Sequence, residues 1–82
     1  MGYRYETAGA FAVYRYQRDD MTDAETYSLD RLRWEPEKAD NLRALAFRGK
    51  TNPASAEDAA EAIERCNKWN ARRKAAAAAH AV

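Results

Sequence analysis

Large aliphatic side chains are scarce in this chain, and that scarcity limits the core that it can build. Of its 82 residues only seven are Val, Ile or Leu, whereas 19 are Ala and nine are Tyr, Trp or Phe. A chain of this length buries only about 60% of its unfolded surface. We therefore expect one small domain with a thin, aromatic-rich core, which gains stability from a second copy or a larger partner.

The chain has one cysteine, Cys66, and one histidine, His80. These two residues exclude a disulfide or a Cys/His zinc site within one chain. A lone thiol fits a reducing compartment, and no segment is typical of a signal peptide or a membrane span. We expect a cytoplasmic protein without membrane contact, metal or cofactor.

The net charge is +1, from 14 basic and 13 acidic residues. A DNA mimic is strongly acidic, and a non-specific nucleic-acid coat is strongly basic. The charge balance therefore argues against both classes.

Aromatic and β-branched residues alternate over residues 3–16, which is typical of strands. Gly9 between the two runs fits a hairpin turn or a bulge in one long strand, and we prefer the hairpin. Residues 17–26 are polar and acidic and predict a loop, in which Thr22 and Glu25 have the spacing of a capping box for a short helix. A third strand over 27–34 fits the apolar pattern better than a helix.

Two helices are predicted after this segment. The first covers 36–48, with Pro36 in its first turn and Gly49 just beyond its end. A linker over 50–54 follows, and Ser55 caps a second helix whose alanine-rich end continues it. The fold prediction is α+β: a small antiparallel sheet, made of a hairpin and a third strand, packed by two C-terminal helices. We expect one domain over 1–74 and a helical extension over 75–82 that frays at its end.

No catalytic constellation stands out. Gly49-Lys50-Thr51 lacks the earlier glycine of a phosphate-binding loop, since Ala44 occupies that place. The acidic loop lacks the central glycine of a calcium site. His80 lies near the chain end and is expected to be exposed, and Cys66 lies on the apolar stripe of the last helix, where a buried role is expected. We predict that the protein is not an enzyme.

Tyrosine and arginine are the residues that most often dominate protein interfaces, and tyrosines also stack on single-stranded nucleic acid. Two groups are therefore candidates for partner binding. The sheet contributes Tyr3, Tyr5, Tyr14, Arg15, Tyr16 and Arg18, and the basic end of the last helix contributes Arg65, Lys68, Arg72, Arg73 and Lys74.

The last helix carries Ala62-Ile63, then Trp69-Asn70 and Arg72. Over residues 57–72 it resembles the closing helix of small bacteriophage restriction-alleviation proteins of the Lar type. The zinc-ribbon cysteines of that family are absent here, so its metal site does not carry over. The resemblance implies a small phage or mobile-element accessory protein, a class that includes anti-CRISPR and other anti-defence inhibitors. It implies binding to a host protein or ribonucleoprotein complex.

The predicted order of strand, helix and helix over 27–66 also resembles ribbon-helix-helix DNA-binding proteins. That resemblance implies a dimer whose paired strands read the major groove. The outward side chains are then either Ser28, Asp30 and Leu32, or Tyr27, Leu29, Arg31 and Arg33. The leading hypothesis is a non-enzymatic inhibitor that covers a surface of a host defence complex. The alternative is a dimeric DNA-binding regulator, with nucleic acid held by the basic helix end.

Overall fold

The computed structural model of the chain describes residues 2–80, except for the side chain of His80. In this part of the chain, a five-stranded antiparallel sheet packs against two helices, which confirms the α+β prediction. The strands are β1 (Arg4–Ala8), β2 (Ala12–Tyr16), β3 (Glu25–Tyr27), β4 (Trp34–Pro36) and β5 (Asn52–Ala54). The helices are α1 (Ala39–Phe47) and α2 (Ala56–His80).

The strand order in the sheet is β4-β3-β2-β1-β5. β1 and β2 form the predicted hairpin, and Gly9 lies in its turn with a φ of 61° that favours glycine. The connection that carries α1 leads from β4 at one edge of the sheet to β5 at the other.

The prediction of a strand over 27–34 is wrong. A second hairpin replaces it, because Ser28 closes a turn in which its backbone N–H donates to Arg33 and its side chain accepts from the Arg31 N–H at 3.0 Å. Leu32 lies in this turn with a φ of 55°, so the extended run ends there. The strand on which the ribbon-helix-helix resemblance depended is therefore absent.

Three boundaries also differ from the predictions. Pro36 ends β4, and α1 begins only at Ala39, since β4 pairs with β3 as far as Pro36. The polar loop ends before Glu25, which lies in β3, and no short helix forms in it. The predicted linker contains β5, which pairs with β1.

The helix punctuation is confirmed at two other points. Gly49 follows α1 with a φ of 67°, and the Asp58 N–H donates to Ser55 Oγ at 3.0 Å at the start of α2. The alanine-rich segment continues α2 as far as His80. The expected exposure of the His80 side chain and the fraying of the last two residues lie outside what the structure describes.

The two faces of the sheet lie against different helices. Val13 faces α2 and forms the core with Ala59 and Ala62, all nearly inaccessible to solvent. Four half-buried side chains pack around them: Tyr5, Tyr27, Trp34 and Ile63. Tyr14, next to Val13, projects to the opposite face and borders α1 at Asn41 and Leu45. The core is thin and aromatic, as the composition indicates.

Candidate functional site

The turn of the first hairpin meets the middle of α2. The rings of Phe11 and Trp69 lie 5.6 Å apart between centroids, at 47° to each other. Two hydrogen bonds hold the turn there: Cys66 Sγ donates to the Phe11 carbonyl at 3.2 Å, and Arg65 Nε donates to the Ala10 carbonyl at 3.4 Å. Trp69 is nevertheless 37% exposed. A large aromatic side chain is thus held in place while part of it faces solvent.

Three cations surround this aromatic pair. A cleft of about 260 Å³ is lined by Phe11, Arg65, Lys68, Trp69 and Arg72, and we call it the basic cleft. Lys68, Trp69 and Arg72 follow Arg65 by three, four and seven positions, so all four residues lie along one side of α2. Lys68 also pairs with Glu64 at 3.2 Å. The basic cleft therefore combines an apolar floor with a positive rim.

Arg73 and Lys74 do not line the basic cleft. The guanidinium carbon of Arg73 lies 4.8 Å from the centre of the Trp69 ring, and its Nη2 donates to Asp30 at 2.8 Å and to Asn70 at 3.1 Å. Arg73 thus joins α2 to the β3–β4 turn. Lys74 is exposed one residue further along the helix. Three of the five basic candidates come together, and two lie beside them.

The candidate tyrosines are divided between the two faces of the sheet. Tyr3 and Tyr5 share the α2 face with Arg15, whereas Tyr14 and Tyr16 alternate to the other face. The expectation of one tyrosine and arginine face does not hold. Tyr5 pairs with Arg15 and Tyr14 pairs with Glu6, so Tyr5 and Tyr14 project to opposite faces of the sheet.

Arg15 is enclosed by its own chain. Its guanidinium carbon lies 4.3 Å from the Tyr3 ring centre and 4.2 Å from that of Trp34, and its Nε donates to Glu25 at 2.9 Å. Arg15 therefore contacts Tyr3, Trp34 and Glu25 of its own chain, and Tyr3 is 39% exposed.

Tyr14 and Tyr16 lie in different surroundings on the opposite face. Burial, with a smaller effect of Glu37, raises the pKa of Tyr14 beside α1. Burial and the nearby Glu6 carboxylate raise the pKa of Tyr16, whose ring centre lies 5.2 Å from the Arg4 guanidinium carbon. Arg18 is exposed in the acidic loop, where it pairs with Asp20 at 3.4 Å.

Sequence reasoning missed Phe11 and Trp34 as members of these clusters. Phe11 directly follows the Gly9-Ala10 turn, and a large aromatic next to a hairpin turn was the available signal. Trp34 belonged to a segment whose strands were assigned wrongly. Trp69 was singled out through the resemblance over residues 57–72, and it is 37% exposed.

The acidic loop uses its carboxylates internally. Asp23 accepts backbone N–H groups from Gln17 at 2.9 Å and Arg18 at 3.1 Å, and the backbone hydrogen bonds, that from Arg18 foremost, lower its pKa. Hydrogen bonds from Thr22 lower the pKa of Asp20. Within residues 2–80, no group of three or more His, Cys, Asp or Glu side chains is arranged to hold a metal ion. Cys66 is buried as expected, and burial raises the pKa of its thiol.

No family model, curated protein or solved structure matches this chain. Among the described helices, none combines the length and the apolar character needed to cross a membrane.

Proposed function

We propose that this chain is a non-catalytic binding protein that attaches to a larger protein assembly and covers one of its surfaces. The observation that carries the proposal is the basic cleft, in which a partly exposed Trp69 lies against Phe11 within a rim of three cations. Trp and Arg are the residue types that contribute most binding energy at protein interfaces. The preferred partner surface is acidic and has an apolar side chain at its centre.

The rigidity of the basic cleft supports this proposal. Phe11 is fixed by the Cys66 hydrogen bond to its carbonyl, and Arg65 is fixed by its bond to Ala10. Side chains that are held in place before binding lose less conformational entropy when the complex forms. A small protein with few apolar contacts gains affinity from this arrangement.

The aromatic rings favour a protein partner over single-stranded nucleic acid. A base needs an open ring face on which to stack. Arg73 lies on the Trp69 ring, Arg4 lies on the Tyr16 ring, and Arg15 lies between the rings of Tyr3 and Trp34. Each of these four rings thus already has a cation of its own chain on one face.

The resemblance over residues 57–72 supplies the expected biological setting. It favours a phage or mobile-element protein in the bacterial cytoplasm that inhibits a host defence complex, such as a CRISPR–Cas complex. The matching residues Trp69 and Arg72 lie in the basic cleft, and Asn70 between them is buried. A homodimer is compatible with this proposal.

The test is a tagged pull-down from bacterial lysate, with and without nuclease, identified by mass spectrometry. We expect a host protein assembly in stoichiometric amount that survives nuclease and moderate salt. The matched control is a variant in which Arg65, Lys68 and Arg72 are all changed to Gln, which keeps polar side chains at the three positions while removing the positive rim. Recovery of nucleic acid alone, released by salt, would contradict the proposal, because such release is the mark of phosphate contacts.

A further inference from the structure

The side of α2 that faces solvent carries its charges in a symmetric order. Six charged residues recur there every three or four positions, with two of them adjacent at the centre, so they share one side of the helix. All six are exposed, and the buried Ala59, Ala62 and Cys66 lie on the opposite side. We call this side of α2 the charged face. Its residues are Glu57, Glu61, Glu64, Arg65, Lys68 and Arg72.

Each carboxylate of the charged face has a cation at the mirrored position of the helix. The pairs, from the centre outwards, are Glu64 with Arg65, Glu61 with Lys68, and Glu57 with Arg72. The members of the second pair lie three positions from the central residues, and those of the third pair lie seven positions from them. A two-fold axis through the centre therefore brings every carboxylate of one α2 level with a cation of a second, antiparallel α2. A parallel arrangement would set like charges against each other.

The helix itself does not explain this order. The macrodipole of a helix favours acidic residues in its first turn and basic residues in its last turn, and its effect falls off beyond them. α2 ends at His80, so Arg72 lies about two turns before its end and Arg65 about four turns before it. The basic half of the charged face thus lies in the middle of the helix, where the macrodipole has little influence.

Contacts within the chain also leave much of the charged face unpaired. Glu64 and Lys68 form an ion pair at 3.2 Å. Arg65 donates to the Ala10 carbonyl instead of pairing with the carboxylate one turn before it. Among the described residues, three members of the face have neither an ion pair nor a side-chain hydrogen bond: Glu57, Glu61 and Arg72. These charges are available to a partner.

We propose that two copies of the chain pair through their charged faces, with α2 antiparallel to α2. Lys68 on the rim of the basic cleft then meets Glu61 of the second copy. Arg72 on the same rim meets Glu57 of the second copy. A second copy is the occupant that the charges favour, because a two-fold contact requires a surface that is complementary to itself.

The self-association does not depend on the function proposed for the basic cleft, because both partners are copies of this chain. It does use the same cations, so pairing and capture of a host assembly exclude each other. The monomer is then the form that captures a host surface, and the dimer is the form that does not. Trp69, partly exposed beside Lys68, lies at the edge of the contact.

The dimer is expected to be weak and sensitive to salt, since each exposed ion pair contributes little in water. We expect a Kd of about 100 µM in about 20 mM NaCl and a roughly tenfold higher Kd in about 500 mM NaCl, because salt screens exposed charges. Sedimentation velocity of the purified chain, across about 10 to 500 µM protein in both salt conditions, measures this self-association. The experiment contains no host protein, so its outcome is separate from that of the pull-down.

Two charge reversals test the register of the pairing. Glu61→Lys and Lys68→Glu each set like charges opposite each other in a dimer of the variant, and each is expected to raise the Kd roughly tenfold or more. In an equimolar mixture of the two variants, both substituted positions again face an opposite charge. We therefore expect a heterodimer from two variants that do not pair with themselves.

The matched control reverses two exposed charges outside α2, with the same changes in net charge. Asp40→Lys and Lys50→Glu are expected to pair with themselves as the wild type does and to gain no affinity when they are mixed. Circular dichroism checks that each variant is folded. If Lys68→Glu loses helix, Glu57→Lys and Arg72→Glu give the same test on the outer pair.

Four results would overturn the proposal. The first is a wild type that stays monomeric at about 500 µM in dilute salt. The second is self-association that survives in both single variants, and the third is a mixture of the two that gains no affinity. The fourth is a series of species larger than a dimer, because a two-fold contact closes on itself whereas a head-to-tail contact continues.

Discussion

The guanidinium of Arg73 lies on the ring of Trp69, with 4.8 Å between its central carbon and the ring centre. The same guanidinium donates to Asp30 in the β3–β4 turn at 2.8 Å. One side chain thus fixes the ring that forms part of the basic cleft and joins α2 to the second hairpin. The basic cleft and the packing of the fold are coupled through this residue.

Changing Arg73 to Ala is expected to lower the free energy of unfolding by about 1 kcal/mol, because a cation–π contact and a partly exposed ion pair are lost together. Urea unfolding followed by tryptophan fluorescence measures this change. Lys74→Ala is the matched control, since Lys74 is the neighbouring exposed cation, and its effect should stay within about 0.5 kcal/mol. Equal effects of the two substitutions would show that the Arg73 contacts do not stabilise the fold.

Trp69→Ala is expected to weaken capture of the partner by about 30-fold or more, because it removes the central aromatic side chain of the basic cleft. Phe47→Ala is the control: Phe47 is 94% exposed at the end of α1, on the other side of the sheet from α2. Quantitative pull-down at several bait concentrations measures both. Retained capture by Trp69→Ala, with a native circular dichroism spectrum, would place the interface elsewhere.

Arg15→Lys is expected to destabilise the protein by about 1 kcal/mol although the charge is kept. The Arg15 guanidinium lies between the rings of Tyr3 and Trp34 while its Nε donates to Glu25. A lysine ammonium is not planar, so it cannot stack on both rings and also donate to Glu25. Thermal and urea unfolding of the two proteins give the comparison. If lysine is tolerated within a few tenths of a kcal/mol, the planar stack contributes little and only the charge matters.

Asp23 in the acidic loop is expected to make the stability of the protein depend on pH. Because backbone hydrogen bonds lower the pKa of Asp23 from its usual 3.8, its contribution to stability is present above that value and is lost as pH falls through the lowered pKa. Asp23→Asn is therefore expected to be less stable than wild type at pH 7, and the difference should shrink below about pH 4. Urea unfolding across this pH range tests it, with Glu61→Gln on α2 as control. A difference that does not change with pH would contradict the role of the charge.

The parts of the fold that were predictable have local signals. Gly9 marks the first hairpin turn, Gly49 marks the end of α1, and Ser55 marks the start of α2, because each position has a backbone or capping requirement that few residues meet. Cys66, which the sequence placed on the apolar stripe of the last helix, is buried on α2 together with Ala59 and Ala62 at helical spacing.

The parts that were missed depend on distant contacts. β5 contains Pro53 and resembles a linker, and it becomes a strand only because β1 offers a free edge for it to pair with. Residues 27–34 have no simple period, because Tyr27 and Trp34 face each other across a turn. The hydrogen bond from Thr51 to the buried carboxylate of Glu6 joins residues 45 positions apart, so no local pattern indicates it.

The most direct test of the proposed interface is site-specific photocrosslinking in bacterial lysate. A photoreactive phenylalanine derivative replaces Lys68, whose side chain is two-thirds exposed on the rim of the basic cleft, or Phe47 as the control position. The proposal predicts that Lys68 crosslinks to one discrete host protein, in nuclease-treated lysate, and that Phe47 does not. Crosslinking from Phe47 alone, or only to nucleic acid, would contradict the proposal that the basic cleft binds a protein surface.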